Sequence, residues 1–71
     1  MLQNNIKVDA IVNYTNGGKQ VQTGIVKKLK SKDYFLIVNN DSAAIELYNA
    51  GYAIGDEIHI SQIISYEQKV N

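Results

Sequence analysis

The feature that most constrains the fold is an alternation of residue types on both sides of an Asn-Gly dipeptide. Across 6–14 the even-numbered positions are apolar and the odd ones are mostly polar, a period of two that predicts a strand with one buried face. Asn16-Gly17 then predicts a two-residue type I′ turn, because both turn positions need a positive φ. A second strand is predicted at 19–30. Its expected buried face carries Val21, Thr23, Ile25 and Leu29.

The turn length sets the pairing of these two strands. A three-residue loop would place Val12 opposite Gln22 and Ala10 opposite Gly24, and the resulting register brings polar groups into the core. We therefore predict the two-residue turn. It pairs Val12 with Val21, Ala10 with Thr23, and Val8 with Ile25.

Gly24 lies inside the second strand, where glycine weakens pairing unless a bend, a bulge or a close backbone approach requires it. Further along, the apolar run at 34–38 predicts a central strand that is covered on both faces. A helix is predicted at 43–50, with Gly51 ending it, and a strand over the same residues is the alternative. The remaining expectations are a short strand through Ile58 and Ile60, a tight turn at 61–62, a strand at 63–67, and frayed ends at 1–5 and 68–71.

Composition narrows the class of protein. Seventy-one residues allow a single domain, 1–71, and the absence of cysteine excludes the disulfides that stabilise many very small domains, so oligomerisation is the stabilising route left open. Seven lysines and no arginine balance seven carboxylates, so the chain is less basic than a dedicated duplex-DNA binder.

The chain has no apolar stretch that could cross a bilayer and no signal-peptide pattern. We expect a cytoplasmic protein that makes no membrane contact.

The long hairpin is followed by Asp33 and the apolar run, and a corner is predicted at 60–63. This order resembles the five-stranded small barrels of the SH3-like and Sm-like type; the Gly24 strand with Asp33 is similar to the first Sm motif. The resemblance covers most of the chain outside 41–55, a variable insertion. It implies a mainly β barrel of about five antiparallel strands with one short helix before the last two strands. Such barrels bind peptides, RNA, DNA and small ligands, so function and the choice between the two connectivities stay open.

No constellation of residues predicts catalysis or metal binding. His59 and Glu57 lie on one strand face and could reach one metal ion, but two ligands make an incomplete zinc site; a surface pair is the competing interpretation. The serines lack the partners of a nucleophile. The Gly-Gly-Lys turn at 17–19 lacks the glycine spacing and the helix start of a phosphate loop. We expect neither an enzyme nor a bound cofactor.

Two groups of residues are candidates for binding. One is a lysine cluster beside an aromatic residue, which suits single-stranded nucleic acid through charge and stacking; a solvated hairpin protected from edge-to-edge pairing is the alternative. The other lies in the insertion, where tyrosines and aliphatic neighbours are typical of protein interfaces, although packing against the barrel explains them equally well. The first group is Lys27, Lys28, Lys30, Lys32 and Tyr34; the second is Leu47, Tyr48, Tyr52 and Ile54.

Together these patterns favour a non-enzymatic binding or assembly module of the regulatory or phage accessory kind. It would contact a partner protein, or another copy of itself, through residues 43–54 of the insertion and an exposed strand edge. The first alternative is an Sm-like oligomer that binds single-stranded RNA through the lysine cluster. The second is a barrel that binds a small ligand or nucleotide.

Overall fold

A computed structural model describes residues 6–18 and 20–68, which form one five-stranded antiparallel sheet and one short helix. The mainly β class and the helix before the last two strands are therefore confirmed, and a strand at 43–50 is wrong. The predicted frayed ends lie outside the described residues except for Gln68, whose side chain accepts the Lys7 N–H at 2.7 Å. The elements are β1 (Ile11–Thr15), β2 (Val21–Leu29), β3 (Tyr34–Asn39), α1 (Ser42–Asn49), β4 (Asp56–His59), the 3-10 turn η1 (Ile60–Gln62) and β5 (Ile63–Glu67).

The sheet is strongly curled. Its strand order is β4-β3-β2-β1-β5, so β4 and β5 lie at opposite edges although only η1 separates them in sequence. In a flat sheet these edges would be about 19 Å apart, whereas the four residue steps that join the two strands reach at most about 14 Å. Within the described residues no ladder joins β4 to β5. The sheet is thus not closed, and the predicted barrel is not confirmed.

Two hydrogen bonds hold η1 between the edges of the curled sheet. The Gln62 side chain donates to the carbonyl oxygen of Thr15 in β1 at 2.8 Å. The Ile60 N–H donates to the carbonyl oxygen of Asp33, in the β2–β3 connection, also at 2.8 Å. One short turn is therefore fixed both to the first strand and to the central hairpin.

The hairpin register differs from the sequence prediction. Val12 pairs with Gly24 and Tyr14 with Gln22, so the predicted pairing of Val12 with Val21 is wrong. The connection between the strands runs from 16 to 20, longer than the predicted two-residue turn, although Gly17 has the expected positive φ, 73°. Lys19, part of the predicted second strand, lies outside the described residues.

This register reverses the faces of β2 before its bulge between Val26 and Lys28, and Tyr14 supplies the physical reason. The Tyr14 ring is fully buried, and a Cβ added at Gly24 would lie 3.0 Å from Tyr14 Cε1 and 2.5 Å from Ile37 Cγ2. A residue without a side chain is therefore needed beside the Tyr14 ring, which confirms the predicted close approach to the backbone at Gly24. Val26 joins it on the core face. The predicted core set of Val21, Thr23, Ile25 and Leu29 is instead exposed or half-buried.

The core lies on the inner face of the sheet, and part of the outer face of β3 is covered as well. Phe35 and Ile37 face the core, while Val38, on the other face, is also fully buried where α1 packs on β3. The prediction of a doubly covered strand at 34–38 therefore holds at Val38 but not along the whole run, because Tyr34 is 41% exposed and Leu36 is only half-buried. The described residues contain no helix whose length and apolar character would let it span a membrane. The core cluster is Ile6, Ala10, Val12, Tyr14, Val26, Phe35, Ile37, Ile58 and Ile63.

Candidate functional site

An open groove of about 560 Å³ lies on the outer face of the sheet, opposite the core. Leu36 of β3 forms its base, because the neighbouring Phe35 and Ile37 are turned toward the core. The end of β2 forms one side, and the end of α1 with the segment after it forms the other. The lining residues are Lys28, Lys30, Leu36, Tyr48, Gly51, Tyr52, Ala53, Ile54 and Gly55.

The manner in which α1 ends positions the tyrosine side of the groove. Gly51 has a φ of 97°; its N–H donates to the Tyr48 carbonyl oxygen at 3.0 Å, and the Tyr52 N–H donates to the Leu47 carbonyl oxygen at 3.1 Å. This pair of bonds is a Schellman motif, which a left-handed glycine completes. The motif reverses the chain so that Tyr48 and Tyr52 line the same groove.

The far end of the groove is formed where the chain returns to the sheet at Gly55. This residue has a φ of 119°, and a Cβ placed on it would lie 2.9 Å from Leu36 Cδ1. Glycine therefore allows the backbone to lie directly against Leu36 before β4 begins. The segment between the two glycines is short, and both of its ends are fixed.

Lys27 fixes the Tyr48 ring from the sheet side. It lies at the bulge of β2 between Val26 and Lys28, and its ammonium is 5.7 Å from the centroid of the Tyr48 ring, in a cation–π contact. The same ammonium is 3.9 Å from Asp9 Oδ1. The Lys27 side chain is only 18% exposed, so it is held against the protein. The Asp9 carboxylate partly neutralises its charge.

The structure divides the predicted lysine cluster. Lys28 and Lys30 line the groove, and neither side chain forms an ion pair or hydrogen bond with the residues that the structure describes. Lys32 does not line the groove. Tyr34 packs edge-on against the His59 ring, with centroids 4.9 Å apart, and also lies outside it. The groove thus contains only part of the predicted nucleic-acid set.

The insertion residues are brought together more completely. Tyr48, Tyr52 and Ile54 all line the groove. Tyr52 is 62% exposed, and Leu47 is 44% exposed on α1 without lining it. Parts of two sets that sequence analysis assigned to different partners therefore meet in one groove.

His59, the candidate metal residue, holds the turn between β4 and β5. Its Nδ1 accepts the Ser61 N–H at 3.1 Å, and its backbone N–H donates to Gln62 Oε1 at 3.0 Å, which together form a capping box. Glu57 lies two residues before it. The described ranges contain no group of three His, Cys, Asp or Glu residues that could hold a metal ion.

The buried Tyr14 hydroxyl has a shifted pKa. Burial raises its pKa above the usual 10.0, and the negative charge of Asp56 raises it further. The hydroxyl donates to Gln22 Oε1 at 3.4 Å. Because Tyr14 lies in the core, away from the groove, this shift reflects packing of the fold.

Leu36 and Gly55 are groove residues that sequence analysis did not single out. A strand expected to be covered on both faces gives no sign of which outward side chain stays accessible. The signal available for the loop was the pair of glycines at 51 and 55, which bracket Tyr52 and Ile54.

Comparisons with known proteins do not assign a function to this chain. No family model matches the chain, and no significant match was found among curated proteins or solved structures. Function is therefore inferred from the groove and its chemistry.

Proposed function

We propose that this chain is a non-enzymatic binding module that recognises a partner protein through the groove between β2, β3 and the end of α1. The observation that carries the proposal is the convergence of Leu36, Tyr48, Tyr52 and Ile54 on one open surface, separate from the core. Aromatic residues are enriched at protein interfaces and contribute much of their binding energy. The groove supplies such a centre, with lysines at its edge.

The openness of the groove supports a partner surface over a small ligand. Its volume is within the usual range for ligand pockets, but those pockets bury most of the ligand surface. Here Tyr52 is 62% exposed, and the lysine side is exposed as well. A small molecule would stay largely in water, whereas a protein segment brings its own surface to cover the tyrosine.

The finer fold assignment and the location belong to the same proposal. An SH3-like or Sm-like small barrel is supported by the short η1 connection between the two edge strands. A cytoplasmic location remains the expectation from the sequence.

The proposal is tested by selecting phage-displayed random peptides on the wild-type protein and measuring their affinities for variants. Tyr52→Ala is expected to weaken the selected peptides about tenfold, with an unchanged far-UV circular dichroism spectrum. Val21→Ala is the matched control, because Val21 is 57% exposed and lies outside the groove. Failure to enrich any peptide, or equal binding to both variants, would refute the proposed function.

A further inference from the structure

We infer that the partner segment is acidic, with an aliphatic or aromatic anchor next to its carboxylates. This inference rests on the proposed function and deepens it by naming the chemistry of the partner. It follows from the charges that line the groove, from the strand register beneath it and from the surroundings of Tyr48.

The groove concentrates positive charge on a chain whose formal net charge is zero. Among the described residues, its lining includes two lysines and no carboxylate. Lys28 and Lys30 are exposed and unpaired within residues 6–18 and 20–68, unlike Lys27, which lies beside Asp9. A carboxylate brought to this edge gains attraction without displacing an existing ion pair.

The strand register favours one orientation of a bound segment in the groove. Lys28 pairs with Leu36, and Leu36 pairs with Glu57, so one row across three strands presents a cation, an apolar side chain and a carboxylate. A segment that crosses this row places its acidic residues beside Lys28 and its anchor over Leu36. Because Glu57 would repel carboxylates at the other end, the acidic residues are confined to one side of the anchor.

The same features disfavour single-stranded nucleic acid. Such strands are held by a groove of cations that follows the backbone and by aromatic faces on which bases stack. One face of the Tyr48 ring is already occupied by the Lys27 ammonium, and a phosphate chain crossing the sheet would meet Glu57. An acidic peptide needs only the two free lysines and the apolar base.

The test examines the composition of the selected peptides and their response to charge reversal. Peptides enriched on the wild-type protein are expected to contain excess Asp and Glu next to an apolar residue, and this excess should vanish on the Lys28→Glu/Lys30→Glu protein. For a synthetic version of the best peptide, Lys30→Glu should raise Kd about tenfold, and added salt should weaken binding to the wild type. Lys7→Glu, the same charge change at an exposed site outside the groove, should leave Kd within about twofold.

Each other outcome has a defined meaning. Neutral or basic peptides that still depend on Tyr52 would overturn the acidic inference and leave the proposed function standing. Peptides that bind independently of Tyr52 would overturn both. An oligouridylate that binds more tightly than the selected peptide and is weakened by Lys30→Glu would assign the groove to RNA. A dimer seen by light scattering and lost in Tyr52→Ala would assign the groove to a second copy of the chain. Either the RNA result or the dimer result would overturn the inference.

Discussion

Replacing Gly24 by alanine tests the hairpin register and the close packing behind it. The Gly24 backbone is outside the left-handed region, so at an uncrowded site this change would stabilise the protein by about 0.4–1 kcal/mol. At this site the new methyl would lie 2.5 Å from Ile37 Cγ2 and 2.8 Å from the Val38 carbonyl oxygen. Carbon atoms in contact prefer about 3.5–4.0 Å. Crowding therefore outweighs the gain in backbone entropy.

The expected cost is at the upper end of the overpacking range, about 3 kcal/mol. A side chain can change rotamer to avoid a new methyl, but the Val38 carbonyl belongs to the backbone of β3, an interior strand of the sheet, and cannot turn away without disturbing the ladder. For 71 residues, the total free energy of unfolding is expected to be about 4–10 kcal/mol. The variant should thus lose a large fraction of its stability.

The assay is urea unfolding followed by circular dichroism. The Gly24→Ala midpoint should fall by roughly 2–3 M, given a slope of about 1 kcal/mol per molar for a chain of this size. Gly18→Ala is the matched control, because a Cβ there meets nothing within 4 Å; it should change stability by less than about 1 kcal/mol. If Gly24→Ala is as stable as Gly18→Ala, Gly24 faces solvent, as the two-residue turn requires, and the register described above is wrong.

Three further predictions concern other parts of the fold. His59→Ala should lower the unfolding free energy by about 1 kcal/mol through loss of the cap on Ser61, and His59→Asn should recover most of it; equal melting temperatures would contradict the capping role. Because burial raises the pKa of Tyr14, the folded protein holds that proton more tightly than the unfolded chain, so the contribution of Tyr14 to stability should be constant below about pH 10 and be lost as the pH rises above it. Tyr14→Phe should show a shallower fall in urea titrations between neutral and alkaline pH, and an unchanged slope would exclude Tyr14 as the cause. A double-mutant cycle with Lys27→Met and Tyr48→Leu should give a coupling of about 0.5–1 kcal/mol, whereas additive effects would exclude the cation–π contact.

Local patterns predicted the elements better than their pairing. The apolar run at 34–38, the stop at Gly51 and the final strand were readable because each depends on neighbours in sequence. The hairpin register failed because counting apolar residues on each face favours Val21 and Ile25 over Gly24. What decides the register is the space that the Tyr14 ring needs across the sheet, a tertiary requirement that no strand shows by itself.

The candidate site was predictable to a similar extent. Tyr48 and Tyr52 were identifiable because tyrosines beside a helix end and a glycine suit an interface. The different surroundings of Lys27 and Lys28 were not, because they depend on the bulge at Lys27, whose ammonium lies over the Tyr48 ring while Lys28 lines the groove. The four lysines of the predicted cluster cannot be distinguished from the sequence, but they have different surroundings in the fold.

Because the groove lies outside the core, a substitution in it can weaken binding without lowering the free energy of unfolding. Leu36 faces the groove while Phe35 and Ile37 face the core, so one strand supports both surfaces through alternate side chains. Tyr52 is largely exposed, and exposed substitutions of this kind usually change stability by less than about 0.5 kcal/mol. Loss of binding in a Tyr52 variant is then attributable to the lost contact. Leu36→Ala is the instructive contrast: because its half-buried side chain packs under the returning loop, it should weaken binding and lower stability together.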